Sequence, residues 1–486
     1  MIRKAIRRFA LPLALTAALM VGGCSSGTGK DSADDTPLTL KVVYYDERSF
    51  YQQYGMLFYA LHPNVEFEVV STQSIRPEPG EDYRELMNAF IEEEKPDILM
   101  IDSSQYEQMA GDGKLVELDT RIAQEAFDVE GLLPGMVDYL REKAGGKLYG
   151  LTPEFYSQAI YYNKDLFEQH GVPLPEDRMS WDQLLQLAAR FPTDGEGEDR
   201  IYGLKMGYQT SLFQMANGIG ASQGLSFVNP ANKQVTINTD SWKKVFETAH
   251  AALESGALYA EDPFQPRGGT TYEDYIFGDP FISGKIAMVI EGTYLMNQIK
   301  EAGNFASDKQ KPISNWDLVT MPVDPQRPDE STNINFYNIF AINAASQNID
   351  AAWEFIEYIH SDDYARVTSK TDTGRLPIRT KYIKDEEGHR LEAFYALKPS
   401  QVDLYRGFEN LPSDFFMKFD GMANTELEAV TQGAKSVSEA LDSLQTNAQA
   451  MLDQAVQAEA EAKPEQEPTE ASGESSGGTV VVERAE

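Results

Sequence analysis

The chain has 486 residues, a formal net charge of −35 at pH 7, and 24 tyrosines and 24 phenylalanines. This length allows two domains or more, and the aromatic residues can fill large cores. The acidity argues against nucleic acid and anionic lipid headgroups as partners, because both would be repelled. The single cysteine excludes a disulfide scaffold and a cysteine-based zinc or redox site, and the five histidines form no pair at helical ligand spacing. We therefore expect neither a metal nor another cofactor.

The first 23 residues have the order of a secretory signal. Four cationic residues and no acidic one lie within residues 1–8, and an apolar stretch follows that is too short to span a bilayer well. Val21–Cys24 resembles the lipobox of bacterial lipoproteins, in which the signal is cut before the cysteine and the thiol carries a lipid. We expect Cys24 to be lipidated, residues 24–37 to form a flexible tether, and the mature protein to lie at the outer face of the cell membrane. An ordinary signal peptide with a chance cysteine is the alternative.

Strand and helix patterns alternate after the tether. The predicted strands are "LTLKVVYYDE" from Leu38, "VEFEVVST" and "PDILMIDSS", and the predicted helices between and after them are "SFYQQYGMLFYALHPN", "EDYRELMNAFIEEEK" and "QYEQMAGDGKLVELD". This order predicts a parallel sheet covered by helices, in which ligands bind at the carboxyl ends of strands. Asp46 and Glu47 end the first strand, and Asp102 and Ser103 end the third, so all four are candidate site residues.

The same patterns continue to the C-terminal region. In chain order we predict the strand "AIYYN", the helix "KDLFEQH" closed by Gly171, a helix with the capping box Ser180–Gln183, the strand "RIYGLKM", helices near 211–217 and 240–254, the strand and helix of "GKIAMVIEGTYLMNQIK", the strand and helix of "INFYNIFAINAASQNIDAAWEFIEYIHS", and helix over 424–458. Residues 458–486 shift to Glu, Pro, Ser and Gly, which predicts a disordered acidic tail.

Several of these stretches, in this order, resemble one family, the maltose-binding-like extracellular solute-binding proteins (family 1) of ABC importers. The resemblance covers most of residues 38 to about 450, and its most specific wording is "YYNKDLF…GVP…W". The other stretches that carry it are "PDILMIDSSQYEQMAGDGKLVELD", "SGKIAMVIEGTYLMNQI", "IFAINAASQNIDAAWEFIEYIHSDD" and "GRLPIR". It implies an α/β protein with the two-lobe periplasmic-binding-protein fold (type II), whose lobes are joined by crossing segments around a ligand cleft. The implied boundaries are residues 38–149 with 341–398 for lobe 1, and 150–335 with 399–457 for lobe 2.

The resemblance also implies which residues face the ligand. Tyr294 stands where the family has a tryptophan that stacks on sugar, and Tyr156 stands where a maltose binder has an acidic residue, with Glu154 two positions earlier. The full implied set is Tyr294, Tyr156, Glu154, Glu291, Asp102, Ser103, Tyr106, Asp46, Glu47, Tyr208 and Phe416. For each aromatic residue the alternative is ordinary core packing, and for Asp102 it is a helix cap.

Aromatic rings pack on sugar rings, and carboxylates accept charge-assisted hydrogen bonds from hydroxyl groups. The same residues would also hold a cation through carboxylates and cation–π contacts. The sequence therefore predicts a monomeric, lipid-anchored receptor that captures a small solute, with a carbohydrate favoured, and delivers it to an ABC permease. The alternatives are a receptor for peptides or polyamines, an adhesion lipoprotein, and a glycosidase that uses Glu154 and Glu291 as its carboxyl pair. We expect no enzymatic activity.

Overall fold

The computed structural model of this chain describes residues 38–77, 83–195, 200–207, 211–260, 271–307, 311–371, 374–385, 387–404, 406–412 and 414–462. Its strands are β1 (Leu38–Tyr44), β2 (Val65–Ser71), β3 (Ile98–Ile101), β4 (Gly150–Leu151), β5 (Glu154–Phe155), β6 (Ala159–Asn163), β7 (Tyr202–Met206), β8 (Val228–Asn229), β9 (Gln234–Val235), β10 (Leu258–Tyr259), β11 (Ile286–Glu291), β12 (Trp316–Thr320), β13 (Glu330–Ser331), β14 (Ile339–Ile342), β15 (Leu376–Pro377) and β16 (Lys398–Pro399).

Its α-helices are α1 (Glu47–Phe50), α2 (Met56–Leu61), α3 (Tyr83–Glu94), α4 (Ser103–Gly111), α5 (Asp119–Gln124), α6 (Met136–Lys143), α7 (Lys164–His170), α8 (Trp181–Ala188), α9 (Leu212–Ser222), α10 (Asp240–Glu254), α11 (Tyr272–Phe277), α12 (Tyr294–Asn304), α13 (Ile349–Ile359), α14 (Asp362–Thr368), α15 (Phe415–Thr431) and α16 (Val437–Ala462). A π-helical turn joins α1 to α2, and a 3₁₀ turn covers Leu391–Phe394. Within the described ranges, no helix has the length and apolar character needed to cross a membrane.

A five-stranded sheet forms the first lobe, in the order β2-β1-β3-β14-β4. β1 lies parallel to β2 and β3, which confirms the predicted parallel arrangement of the first three strands. β14 comes from much later in the chain and runs antiparallel to both β3 and β4. The chain therefore leaves this sheet after β4 and returns to it at β14, which is the connection expected of the two-lobe fold.

A second five-stranded sheet, in the order β10-β7-β11-β6-β12, forms the second lobe. β10, β7 and β11 are parallel, whereas β6 runs antiparallel to β11 and β12. All five residues of β6 and all five of β12 are buried, because helices and crossing segments cover both faces of the sheet. The predicted fold class, α/β with two lobes, is confirmed.

The crossing segments pair with each other between the two sheets. Tyr156 and Asn335 exchange two backbone hydrogen bonds, of 3.0 Å and 2.9 Å, so the outgoing and returning segments form one short ladder. A third segment joins them where β15 pairs with β5. β4 belongs to the first sheet, although the sequence analysis assigned residues from 150 onward to lobe 2. The 3₁₀ turn Leu391–Phe394 packs against β6 and β12 of the second sheet, although it falls within the range predicted for lobe 1.

The hydrophobic core is continuous beneath the crossing segments. Phe394 of the third segment lies 6.1 Å from the Tyr161 ring of β6, and Tyr161 lies 5.5 Å from the Trp316 ring of β12, as ring centroids. These rings join the same buried cluster as the first sheet. A separate cluster lies on the other face of the second sheet, under α8, α9 and α10. The contact between the lobes is thus partly apolar, and it determines how the two sheets are positioned relative to each other.

Two C-terminal helices complete the second lobe. α15 packs against α9, and α16 packs against α15 and α10. The predicted helical character of 424–458 is confirmed, and the structure divides it into α15 and α16 at Gly433, which has a φ of 70° that favours glycine. α16 continues to Ala462, four residues beyond the predicted start of the tail, and the rest of the predicted tail lies outside the described residues.

His360 is a fully buried histidine at the junction of α13 with the crossing segments. The His360 Nδ1 lies 2.6 Å from the carbonyl oxygen of Ile356. The backbone carbonyl oxygen of His360 accepts a hydrogen bond of 2.6 Å from Arg379 Nε. Within the described residues, its Nε2 is buried with no hydrogen-bond partner. Burial, as the main cause, lowers the pKa of His360 to about 4 from an ordinary value of 6.5. The folded protein therefore keeps this ring neutral.

We expect the stability of the protein to depend on this ring between pH 6.5 and pH 4. The unfolded chain takes up a proton as the pH falls through about 6.5, whereas the folded chain resists until about pH 4, so stability falls as the pH is lowered through this window. The loss attributable to His360 is roughly 3 kcal/mol. Between pH 6.5 and pH 4, the thermal midpoint of the wild type should fall more steeply with decreasing pH than that of His360→Asn. If the two midpoints fell in parallel, His360 would not be the source of this pH dependence.

Candidate functional site

The carboxyl ends of the parallel strands in the two sheets lie at the crossing segments. In the first lobe this edge carries the residues that follow β1 and β3, together with the start of the antiparallel β14. In the second lobe it carries Glu291 at the end of β11, and Ala159 of β6 lies opposite both Glu291 and Thr320. Loops from both edges contact each other, since Thr293 Oγ1 donates to the carbonyl oxygen of Gly374 at 3.0 Å. The candidate site is therefore the cleft between the lobes.

Tyr294 lies at the second-lobe edge of this cleft. It is the first residue of α12, and its side chain is 48% exposed. Gly292, two positions earlier, packs closely on Tyr156, because a Cβ there would lie 3.1 Å from the Tyr156 hydroxyl and 3.2 Å from its ring, which is a tight contact. The glycine thus allows β11 to end directly against Tyr156. This position agrees with the predicted ligand wall, whose role remains a prediction.

Two tyrosines from the crossing segments lie beside this edge. Tyr156 is half-buried, and its ring centroid lies 6.5 Å from that of Tyr337, with an angle of 51° between the planes. Tyr337 directly precedes Asn338 and β14, and it is 59% exposed. The sequence analysis treated "INFYNIF" as a continuous strand and therefore missed Tyr337 as a candidate. Tyr294 and Tyr337 thus both expose aromatic surface beside the crossing segments.

Glu154 is held in a network of side chains rather than pointing alone into the cleft. Its Oε1 accepts hydrogen bonds from Tyr54 Oη at 2.9 Å and Asn338 Nδ2 at 3.0 Å, and it forms a close ion pair with Arg375. Burial, followed by the Glu154 carboxylate, raises the pKa of Tyr54, so its hydroxyl remains a donor. The network joins three crossing segments to the helical region after β1. We therefore assign Glu154 a positioning role.

The first-lobe acids cap helices. Asp46 accepts from Ser49 N at 2.9 Å and Ser49 Oγ at 2.7 Å, and these bonds lower its pKa, while Glu47 is exposed in the first turn of α1. Asp102 accepts from Ser104 N at 2.8 Å and from Gln105 N at 2.9 Å, in a complete capping box. The helix-cap interpretation of Asp102 is therefore confirmed, and these bonds orient the first turn of α4 toward the cleft.

Two further predicted residues pack among core residues, and a third cannot be placed. Tyr106 is fully buried, and its hydroxyl accepts from Tyr149 N at 3.1 Å, so the prediction that it faces a ligand is corrected to a core role. Phe416 is half-buried and stacks on Phe408 at 4.6 Å in the second-lobe core, which supports the alternative of ordinary packing. Tyr208 lies outside the described residues.

A cavity of about 520 Å³ opens between the lobes beside the crossing segments. Helices α3, α4 and α6 line it from the first lobe, and segments 331–335 and 400–407 line it from the other side. Its hydroxyl and amide groups come from Asn88, Ser103, Ser104, Gln108, Ser331, Thr332, Asn335 and Ser400, and its charged groups come from Arg84, Glu85, Glu107, Lys143, Asp403 and Arg406. Ser103 is the predicted site residue that reaches the cavity. Asn335, which pairs with Tyr156, connects the cavity to the aromatic edge.

Four of these charged residues form an interlobe charge cluster: Glu107, Lys143, Asp403 and Arg406. Lys143 on α6 is 7% exposed at its side chain, pairs closely with Asp403, and lies 3.6 Å from Glu107. Arg406 lies 3.0 Å from Glu107 and 4.0 Å from Asp403. Segment 400–407 packs against Gly224 and Pro230 of the second lobe. The cluster therefore joins α4 and α6 of the first lobe to the second lobe at one end of the cleft.

Acidic residues are frequent in the chain, but none of the described ones form a metal-binding group. No cluster of three or more histidine, cysteine, aspartate or glutamate side chains in the described part of the chain is arranged to hold a metal ion. Among the carboxylates at the cleft, Asp46 and Asp102 cap helices, Glu154 pairs with Arg375, and Glu107 and Asp403 belong to the interlobe charge cluster. The chemistry that this arrangement supports is reversible binding through hydrogen bonds and aromatic contacts.

Comparisons with known proteins agree with this architecture. The model of the bacterial extracellular solute-binding protein family matches residues 42–366, which is more than half of the chain. A Brucella abortus binding protein is 27% identical over 267 residues, covering 52% of this chain and 57% of that protein, and the mannitol-binding protein of Pseudomonas aeruginosa is 27% identical over 282 residues, covering 56% and 58%. The match thus spans somewhat more than half the length of these relatives. A sugar transporter structure from Rhizobium etli, in an open conformation, matches 85% of this chain and 99% of its own at 23% identity and a TM-score of 0.59, which shows the fold.

Proposed function

Because the chain belongs to the bacterial extracellular solute-binding protein family, we propose that it is a receptor that captures a small carbohydrate or polyol between its two lobes and delivers it to an ABC permease. Hinged closure of two lobes around a ligand is the motion by which binding proteins of this architecture work. The receptor acts as a monomer and performs no chemistry on its ligand.

The observation that carries this proposal is the composition of the interlobe cavity. Its volume lies in the range of small-molecule sites, and hydroxyl and amide groups supply many of its polar contacts. Among the described residues, three cations and three acids line it, and this balance favours a neutral, hydroxyl-rich ligand. Tyr156, Tyr294 and Tyr337 add aromatic faces at the adjoining edge, as a sugar ring requires.

This balance of charge argues against the cationic alternative. A polyamine site would need unpaired carboxylates, and three of the carboxylates at the cleft are paired: Glu154 with Arg375, and Glu107 and Asp403 with Lys143 and Arg406. The names of the relatives, one a mannitol-binding protein and one a sugar transporter, support the same ligand class. A peptide receptor remains the second candidate, and the binding screen below includes peptides.

The glycosidase alternative is weakened by the state of Glu154. A general acid must be free to contact the glycosidic oxygen of the ligand. Glu154 instead accepts hydrogen bonds from Tyr54 and Asn338 and forms an ion pair with Arg375, all through Oε1. A carboxylate that is held in this way positions the crossing segments and is not available as an acid.

Lipid anchoring is the second part of the proposal. It rests on Val21–Cys24 and on the cationic and apolar residues before it, all of which lie outside the described residues. The anchor would hold the receptor at the outer face of the membrane, close to its permease. We expect Cys24→Ala to abolish incorporation of labelled palmitate and cleavage at this site. Labelling of the Cys24→Ala protein at the wild-type level would contradict the anchor, while the binding function would be judged separately.

A thermal-shift screen tests the ligand class. The purified full-length protein, in detergent, is heated with neutral sugars, polyols, peptides and polyamines. A ligand at 100 times its dissociation constant adds about 2.7 kcal/mol to the free energy of unfolding, which gives a readable shift. Stabilisation by sugars or polyols supports the proposal. Stabilisation by peptides or polyamines alone would overturn it.

A further inference from the structure

The exposed face of α12 carries aromatic residues beyond the cleft. Tyr294, Glu301 and Phe305 follow one another at spacings of seven and four positions, which places them on one face of the helix and its C-cap. All three are exposed, whereas the opposite face is buried through Leu295, Gln298, Ile299 and Ala302. The distance along the axis from Tyr294 to Phe305 is about 16 Å. The face therefore extends well past the cleft edge at Tyr294.

Helix α11 adds two tyrosines to this face. Tyr272 is 54% exposed, its ring lies 6.3 Å from that of Tyr275 at an angle of 19°, and it lies 6.1 Å from Phe305 in an edge-on arrangement. The Tyr272 hydroxyl hydrogen-bonds Glu301 at 2.5 Å, which fixes the ring. This bond is the main cause that raises the pKa of Tyr272 to about 12, and Tyr294 and Tyr275 contribute electrostatically. The hydroxyl thus remains protonated as a donor.

Single exposed aromatic residues are ordinary on protein surfaces, but a contiguous group of them indicates a binding surface. We call Tyr272, Tyr275 and Phe305 the aromatic platform. On α12, the polar residues Asn297, Lys300 and Asn304 lie within four positions of Glu301. A tyrosine ring with a fixed hydroxyl, such as Tyr272, suits the flat C–H face and hydroxyl rim of a sugar.

We propose that the aromatic platform is an extension subsite that binds further sugar residues of an oligosaccharide whose end is held in the cleft. The proposal rests on the proposed function and makes it more specific, because it assigns an oligosaccharide rather than a single sugar or polyol as the ligand. Continuity along one face of α12 connects Tyr294 with Glu301 and Phe305, so a chain leaving the cleft past Tyr294 would pass over Tyr272.

Affinity as a function of chain length tests this inference. The purified full-length protein is titrated on an array of neutral glucans, mannans, galactans and xylans, graded in length from monosaccharides upward. We expect the affinity for the preferred sugar to rise with chain length, and Tyr272→Ala to lower the affinity for the long chains by about tenfold while that for the disaccharide is unchanged. Tyr272→Phe keeps the ring and should therefore lower the affinity for long chains less than Tyr272→Ala does. Tyr59→Ala is the matched control, since Tyr59 is 47% exposed on α2 of the first lobe and should have no effect.

The outcomes separate this inference from the proposed function. Binding of short sugars with no gain from chain length would overturn the platform and leave the receptor intact. Binding of no glycan would overturn the platform, and the proposed function would also be overturned if no sugar or polyol stabilised the protein in the thermal-shift screen. If Tyr272→Ala left every glycan affinity unchanged but reduced uptake by a reconstituted permease, the patch would be a protein-docking surface and the inference would be wrong. A melting curve of each variant without ligand confirms that it is folded.

Discussion

Replacing Tyr294 with alanine is expected to raise the dissociation constant of the bound sugar by about 30- to 1000-fold. An aromatic ring stacked on a ligand in a closed cleft is a hot-spot contact, and its truncation costs about 2–4 kcal/mol. Tyr294 projects from the start of α12, where Gly292 packs against Tyr156 and Thr293 bonds Gly374 across the cleft. The ring is thus at the place where the two lobes meet, and calorimetric titration of the purified protein measures its contribution.

Two comparisons make the Tyr294 result interpretable. Tyr294→Phe should lower the sugar affinity much less than Tyr294→Ala if ring stacking dominates. It should lower the affinity nearly as much if the hydroxyl makes the contact. Because Tyr294→Ala could disturb the first turn of α12, its melting curve without ligand is compared with that of the wild type. A folded Tyr294→Ala protein with unchanged affinity would remove this residue from the site. A loss that affects short and long sugars equally also distinguishes Tyr294 from the aromatic platform.

The second large effect is expected from the interlobe charge cluster. Lys143→Met keeps the aliphatic stem but removes the cation that joins α6 to Asp403, so the free energy of the closed arrangement rises relative to the open one. We expect the ligand-free protein to be more open, with a larger radius of gyration in small-angle X-ray scattering, and the sugar affinity to fall by about tenfold.

A charge exchange provides the control for this cluster. Lys143→Glu and Asp403→Lys should each weaken binding, and the double variant should recover part of the loss if the two side chains interact directly. Added salt should reduce the difference in sugar affinity between the wild type and Lys143→Met only weakly, because the Lys143–Asp403 pair is shielded from solvent. Additive losses in the double variant, with scattering curves equal to the wild type, would show that the cluster does not influence closure.

The sequence analysis predicted local structure and fold better than side-chain contacts. β1, β2 and β3 follow directly from alternating or fully apolar runs, and the capping box at Ser180 and the αL glycine at Gly171 are observed as predicted. Such signals lie within a few residues of each other, so a single sequence contains them. The helical region over 424–458 is observed as two helices, because one glycine, Gly433, in a left-handed conformation divides it.

The site residues show what local patterns do not contain. Glu154 was predicted to hold a ligand, but its partner Arg375 lies 221 positions away, and nothing in the periodicity around either residue indicates that they meet. Tyr106 is an aromatic residue of the kind that contacts sugars, but its helical position also suits the core. Its burial in the structure shows that it belongs to the core. One sequence feature could have indicated Tyr337 as a site residue, namely its position just before a short apolar strand. No sequence feature indicated that Lys143 and Arg406 belong to the site.

Receptor function is tested by one calorimetric titration, with the sugar that gives the largest thermal shift, followed by chromatography of the same sample. We expect saturable binding with one site per chain, a negative heat-capacity change as the cleft closes, and recovery of the sugar intact. Cleavage or modification of the sugar would show an enzyme and would contradict the receptor. The absence of saturable binding would contradict the proposed cleft itself.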